Sequence, residues 1–298
     1  MKYGKLDDIS GVDFSLPQDP ASNGMVLSGM PVQTDIRVGG TMWNIPAWVG
    51  SWFPPKTRPA QFLHFYSRIF STIELNATHY RIPAPETVRK WKSETPSGFV
   101  FCPKFPQSVS HYRRFRNCEE PTDQFLTAIL EFGEQLGPSF IQLPPHYAPA
   151  SANDLMNYLR ALPADLHVAV EFRHPDWFTG ASTEVESMWD FMAERRITAV
   201  ISDTAGRRDA VHMRLTSPHT IVRFGGNALH SSDYARLTDW AERAAQWSSR
   251  GLQSFHLWMH QPDSVVSPES CVWFAEEWQR LAGMKTHIPA RFAQASLF

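Results

Sequence analysis

The chain lacks most features that assign a protein to a class at a glance. It has only 3 cysteines in 298 residues, Cys102, Cys118 and Cys271, far apart and with no C-x-x-C pair. So odd and scattered a set excludes a disulfide framework and a zinc cage, and points to reduced thiols in a cytoplasmic protein. No segment approaches the ~18 apolar residues of a membrane span, and no basic stretch followed by an apolar one opens the chain. Neither membrane association nor export is therefore expected. Charge of neither sign dominates. The 28 Lys+Arg and 30 Asp+Glu leave a formal −2, with no global pull toward nucleic acid or an anionic membrane. No G-x-G-x-x-G or G-x-x-x-x-G-K-[ST] follows any strand-like run, which argues against a dinucleotide site or a P-loop.

What is present is an apolar content of 43%, rich in Phe (20) and Trp (11), arranged as a repeat. Eight strand-like runs occur near 36–39, 72–76, 99–104, 140–143, 168–173, 198–203, 221–224 and 255–260. Helix-like segments separate most of them, at 59–70, 85–94, 121–136, 151–161, 182–195 and 231–249, and one at 267–282 follows the last. Thr183 with Glu186 suggests a capping box, Ser267-Pro268 a helix start and Gly283 a helix stop. The stretch 204–219 is too polar and short to be read as a helix. Strand and helix alternating over eight units predict a single α/β domain, a (β/α)8 TIM barrel, in preference to a doubly wound sheet. We place the barrel at 35–285, after a loosely held N-terminal extension (1–34) and before a flexible C-terminal tail (286–298).

Side chains alternate faces along a strand, and the polar residues recur near the run ends. In His167-Val-Ala-Val-Glu171-Phe-Arg173, Val168, Val170 and Phe172 share one face, and Ala169, Glu171 and Arg173 the other. The same parity turns inward Glu74, Asn76, Lys104, Gln142, Glu171, Arg173, Asp203, Arg223, His256 and His260. Three acids then meet three cations where barrel enzymes keep their sites. In this reading Glu171 moves a proton, with Glu74 and Asp203 assisting. Lys104, Arg173 and Arg223 stabilise negative charge, and Asn76 and Gln142 orient the substrate. His111, His174 and Trp177 follow strand ends and could lean over the mouth, and Trp43 opens a tryptophan cluster that could stack on a sugar or base. Glu74, Glu171, Asp203, His256 and His260 offer donor types for a metal, but three nearby cations oppose a divalent ion. A cofactor is not identified, and a metal is not favoured.

The same residues carry a family likeness. Phe70 to Pro83 around Glu74 and Asn76, Thr95 to Lys104, Gln142-Leu-Pro-Pro145, Glu171 to Trp177 and Asp203 resemble the signature blocks of the domain-of-unknown-function 72 family, the YecE-like proteins. The resemblance implies a TIM barrel with a site built from these blocks, and no defined reaction. His79, Met42, Arg223-Phe-Gly225-Gly226 and His260-Gln261 depart from that pattern. At the end of the chain, Gln294-Ala-Ser-Leu297-Phe298 resembles the pentapeptide that binds the bacterial DNA sliding clamp, with Gln294, Leu297 and Phe298 as the contacts. The expectation is a cytoplasmic hydrolase acting on a phosphate-bearing anion, a small molecule or one derived from nucleic acid, with the clamp as a partner. The alternatives are a carbohydrate-active enzyme with paired carboxylates and a non-catalytic adaptor barrel.

Overall fold

A computed structural model describes residues 3–180 and 182–292. Among these, eight strands form, each at one of the apolar runs: β1 (Asp35–Gly39), β2 (Thr72–Leu75), β3 (Val100–Pro103), β4 (Ser139–Gln142), β5 (Val168–Glu171), β6 (Thr198–Asp203), β7 (His219–Gly225) and β8 (Ser254–His260). Helices α1 (Phe62–Ile69), α2 (Pro85–Glu94), α3 (Glu119–Ile129), α4 (Ala152–Ala161) and α5 (Thr183–Glu194) separate the first six strands. Helix α6 (Ser231–Ser248) joins β7 to β8, and α7 (Ser267–Ala282) follows β8. Only a three-residue turn, Arg208–Ala210, lies between β6 and β7. The start signals sit one residue from where they were expected. Ser182, not Thr183, caps α5 by accepting the Val185 N–H at 3.4 Å, and Val266 rather than Ser267 caps α7. Gly283 ends α7 at φ 65°, as its position predicts. No described helix is long and apolar enough to cross a membrane.

All strand pairing is parallel. The ladders form a six-stranded sheet, β1-β8-β7-β6-β5-β4, and a separate pair, β2-β3, rather than one continuous eight-stranded sheet. The reason is local. Pro103 has no N–H to donate at the β3 edge, and the ladder there is reduced to isolated bridges at the strand margins, Lys104 just past β3 to Phe140 and Phe101 to Leu136 just before β4. Between β1 and β2 two backbone bonds cross, Ser71 N to Val38 O (3.2 Å) and Glu74 N to Gly40 O (3.1 Å). Gly39 permits that approach, since a Cβ there would meet the Thr72 carbonyl oxygen at 1.9 Å.

The core has two parts. A large cluster fills the space between strands and helices. A small one takes a single buried side chain from each of β3 to β8: Cys102, Phe140, Ala169, Val200, Ile221 and Trp258. Six strands therefore aim at one common apolar layer, and that layer is the floor of the site.

The N-terminal segment is not loosely held. Asn23 is buried, donates to Met213 O (2.9 Å) and accepts from Leu215 N (2.8 Å). Asp19 takes Arg243 at 2.6 Å and the Trp247 indole N–H at 2.7 Å. These hydrogen bonds and ion pairs, invisible to a search for apolar periodicity, fix a polar stretch on the surface of the domain.

Candidate active site at the strand ends

Two residues further along each strand, on the same face, stands the polar layer. Cys102 is followed by Lys104, Phe140 by Gln142, Ala169 by Glu171, Val200 by Ser202, Ile221 by Arg223 and Trp258 by His260. Thr72 and Glu74 continue the pattern on β2. An inward apolar residue thus dictates an inward polar one at the carboxyl end, because the side-chain period is two.

Arg223 is the hub. Its Nε and Nη2 donate to Glu74 Oε2 and Oε1 at 2.9 and 2.8 Å, and its Nη1 reaches both Glu171 oxygens at 2.8 Å. Arg173 donates to Glu171 Oε1 at 3.2 Å, Ser202 Oγ to the same oxygen at 2.7 Å, and His260 Nε2 to Glu74 Oε2 at 2.7 Å. Asn76 donates to Glu74 Oε1 at 2.8 Å. Lys104 Nζ donates to Gln142 Oε1 at 2.9 Å. Among the described residues no carboxylate lies within ion-pair distance of Lys104, because Arg223 and Arg173 hold both acids. Among the described residues the centre therefore contains two acids and three cations from the expected set, not a balanced three against three.

Electrostatics follow from burial and pairing. Burial alone would raise the Glu171 carboxyl, but Arg173, Arg223 and the Ser202 hydroxyl overcome it and hold it near about 2. Burial opposes ionisation of Glu74 too, and Arg223 with His260 keeps it well below the usual range. Both remain carboxylates at neutral pH, with no proton to give. Lys104 differs. Burial, then the neighbouring Arg223, lower its ammonium to about 8 against the pull of Glu74 and Glu171. Burial and then Lys104 bring both His79 and His111 down to about 4, so both imidazoles are neutral.

Several expected members lie elsewhere. Asp203 faces away from the centre, since it is one residue out of phase with Val200 and Ser202. It pairs with Arg236 at 2.8 Å, accepts the Trp240 indole N–H at 2.7 Å and bonds Arg208, beneath α6. Trp177 is buried against Phe172 with its indole N–H on Tyr147 O at 2.7 Å. It supports the loop and does not face the mouth. His174 accepts the Asp176 N–H and starts the turn Asp176–Thr179. Trp43 packs edge-on against Trp91 at 5.6 Å, and Trp48 and Trp52 are buried, so no aromatic platform forms there. His256 lies below the polar layer, 3.8 Å from the Cys102 sulfur. Among the described residues no three His, Cys, Asp or Glu side chains gather as a metal cage. Glu74 and Glu171 do not form the open carboxylate pair needed for glycoside chemistry, because Arg223 stands between them. Gln294, Leu297 and Phe298 lie outside the described residues.

Sequence reasoning missed two members. Ser202 was legible as the parity mate of Val200. Tyr3 was not. Its ring lies over Arg173 at 4.3 Å and over Arg207 at 4.9 Å, bringing the N-terminal segment across the mouth. Beside it opens a cavity of ≈ 690 Å³ lined by Tyr3, Thr204, Gly225, Gly226, Asn227 and His260, among others, a size suited to a small ligand.

A parallel α/β fold with buried charge gathered past the carboxyl ends of its strands defines the class: an α/β protein carrying a strand-end site. The chain belongs to the family described as Protein of unknown function DUF72, whose profile matches residues 37–292. It is 29% identical over 281 residues to UPF0759 protein YecE of Escherichia coli K12, a match covering 88% of this chain and 100% of that protein. UPF0759 protein YunF of Bacillus subtilis is 29% identical over 201 residues, covering 64% of this chain and 70% of YunF. A crystal structure of a DUF72 family protein from Enterococcus faecalis V583 superposes with TM-score 0.62 at 17% identity, covering 88% of this chain and 100% of that one. At that identity the likeness speaks for the fold.

Proposed function

We propose that the two sheets close as an eightfold barrel and that its mouth is an enzyme site for a phosphate-bearing anion. One observation carries the reading: a buried lysine that has no carboxylate partner among the described residues, in a centre whose two acids are balanced by Arg223 and Arg173 together. A buried cation of this kind is costly unless a ligand supplies the missing charge. The fitting reaction is hydrolysis at phosphorus. Lys104 and Arg173 offset charge growing on the phosphoryl oxygens, neutral His111 takes the proton of the water whose oxygen bonds phosphorus, and the ester P–O bond breaks to release an alkoxide that solvent protonates. Glu171 and Glu74 fix the cations and carry no proton, and Gln142 and Asn76 orient.

Titration calorimetry with inorganic phosphate tests the binding step. Lys104→Met is expected to weaken binding about tenfold or more, the worth of a charge-assisted hydrogen bond. The bound form needs the ammonium. Affinity therefore holds below about 8 and declines as pH rises through that value. A titration indifferent to both the substitution and the pH would remove this site from consideration, and binding with no turnover of any phosphate ester would favour the adaptor reading. Clamp recruitment rests on the sequence Gln294 to Phe298. A purified bacterial clamp is expected to capture the full chain but not one ending at residue 293. Equal capture of both disposes of the motif.

A further inference from the structure

The loops after β2 and β3 carry a feature that the anion site does not use. Tyr80 is 72% exposed and Tyr112 is 70% exposed, in a chain that buries most of its aromatic rings. Each is followed by arginine: Arg81 after Tyr80, Arg113 and Arg114 after Tyr112, all three exposed. Among the described residues none of these arginines has a carboxylate partner, whereas Arg116 nearby is paired with Asp154 at 2.7 Å. The rim thus presents uncompensated positive charge interleaved with bare aromatic faces.

The geometry of the rim is built and not incidental. Tyr80 ends the turn Ala77–Tyr80, which Thr78 pins to β3 by donating to Lys104 O at 2.8 Å and accepting Lys104 N at 3.1 Å. Tyr112 ends the π-helical turn Ser108–Tyr112, a conformation often found at functional sites. Arg114 (φ 49°), Phe115 (φ 67°) and Asn117 (φ 50°) are left-handed non-glycine residues, a strain that persists only where surrounding structure enforces it. Phe115 supplies the enforcement, buried against Tyr147 and Tyr158. The two turns meet through the rings of His79 and His111, 5.0 Å apart and nearly perpendicular. His79 is fixed by donating from Nδ1 to Phe105 O at 2.7 Å. The rim is therefore continuous with Lys104.

We propose that this rim binds single-stranded nucleic acid, with Tyr80 and Tyr112 stacking bases, Arg81, Arg113 and Arg114 holding backbone phosphates, and one phosphate entering at Lys104 and Arg173. The proposal rests on the anion-site reading for that last contact and extends it to a substrate class. Bases offer a π-face for each tyrosine, and the backbone a phosphate for each cation. In a duplex those faces are already stacked, so the single strand is the fitting ligand.

Fluorescence anisotropy with a labelled oligothymidine of about twelve nucleotides, within the span such surfaces cover, tests it. The wild type is expected to bind this strand more tightly than the same length of duplex. Tyr80→Ala and Tyr112→Ala each lower affinity about tenfold, as loss of one stacked base does, while Tyr80→Phe and Tyr112→Phe retain it. Arg113→Gln with Arg114→Gln weakens binding and flattens its dependence on salt. Thermal melts of these surface variants should match the wild type, which separates binding from folding. Equal affinity for strand and duplex, or alanine variants that bind like the wild type, overturns the proposal. So does binding to phosphatidylserine vesicles without binding to the strand. Phosphate titrations on the tyrosine variants keep the two readings apart. Phosphate bound by variants that have lost the strand supports the rim, whereas a wild type that binds phosphate but not the strand overturns the rim alone. If phosphate binding is absent from the wild type, the anion site fails.

Discussion

Arg223→Met is expected to cost about 3–5 kcal/mol of unfolding free energy, the range for stripping a buried ion cluster of one partner. The two acids it leaves behind are completely buried. Among the described residues Glu171 would keep Arg173 and Ser202, and Glu74 would keep His260 and Asn76. Arg223→Lys should recover part of the loss, since one ammonium cannot span two carboxylates as a planar guanidinium does. Urea unfolding followed by tryptophan fluorescence measures both. The pH dependence adds a second check. In the wild type the folded Glu171 carboxyl lies near about 2, below its ordinary 4.5. A lowered folded value gives stability that is fully present above the ordinary one and lost as pH falls from 4.5 toward 2. In Arg223→Met, burial without its main cation favours protonated Glu74, so the acid-side loss should flatten. A variant as stable as the wild type, or one with the same acid-side slope, would show that Arg223 does not hold the centre together.

Asp203→Asn is expected to destabilise by about 3 kcal/mol while leaving phosphate affinity unchanged. Arg236, fully buried on the inner side of α6, would lose its closest carboxylate and keep Asp233 at 3.4 Å and the Gly225 carbonyl. The same change would release Arg208. In wild-type Asp203, burial pushes the carboxyl up but Arg236 and Arg208 pull it below the ordinary value. Its stabilisation therefore belongs to neutral pH and is lost in acid. Calorimetric titration and urea unfolding on the same preparation decide the matter. Lost phosphate binding with intact stability would return Asp203 to the site.

Strand positions were legible because buried parallel strands read as apolar runs, and all eight runs hold one. Site residues were legible where alternation could be counted from a known inward residue: Lys104, Gln142, Glu171 and Arg223 each lie two beyond a member of the inner layer. The same rule, counted from the strand end, misplaced Asp203 by one residue and hid Ser202. The tryptophans misled for another reason. Trp177 and Trp48 each satisfy an indole N–H on a distant carbonyl, Tyr147 O and Val265 O, and no local pattern distinguishes such a ring from a stacking platform.

Local patterning was therefore sufficient for the eight strands, most of the helices and the pool of polar side chains near the strand ends. Partner choice within that pool came from the packing of distant segments. Glu74 and Arg223 are 149 residues apart in sequence, and Tyr3 meets Arg173 across 170. Arg223 takes both acids because it is aimed between them, and among the described residues Lys104 is left with no carboxylate within ion-pair distance. Periodicity encodes which face a residue takes. Only the assembled strands bring those faces within hydrogen-bond reach, and there burial turns a list of charged residues into a site with a net positive centre.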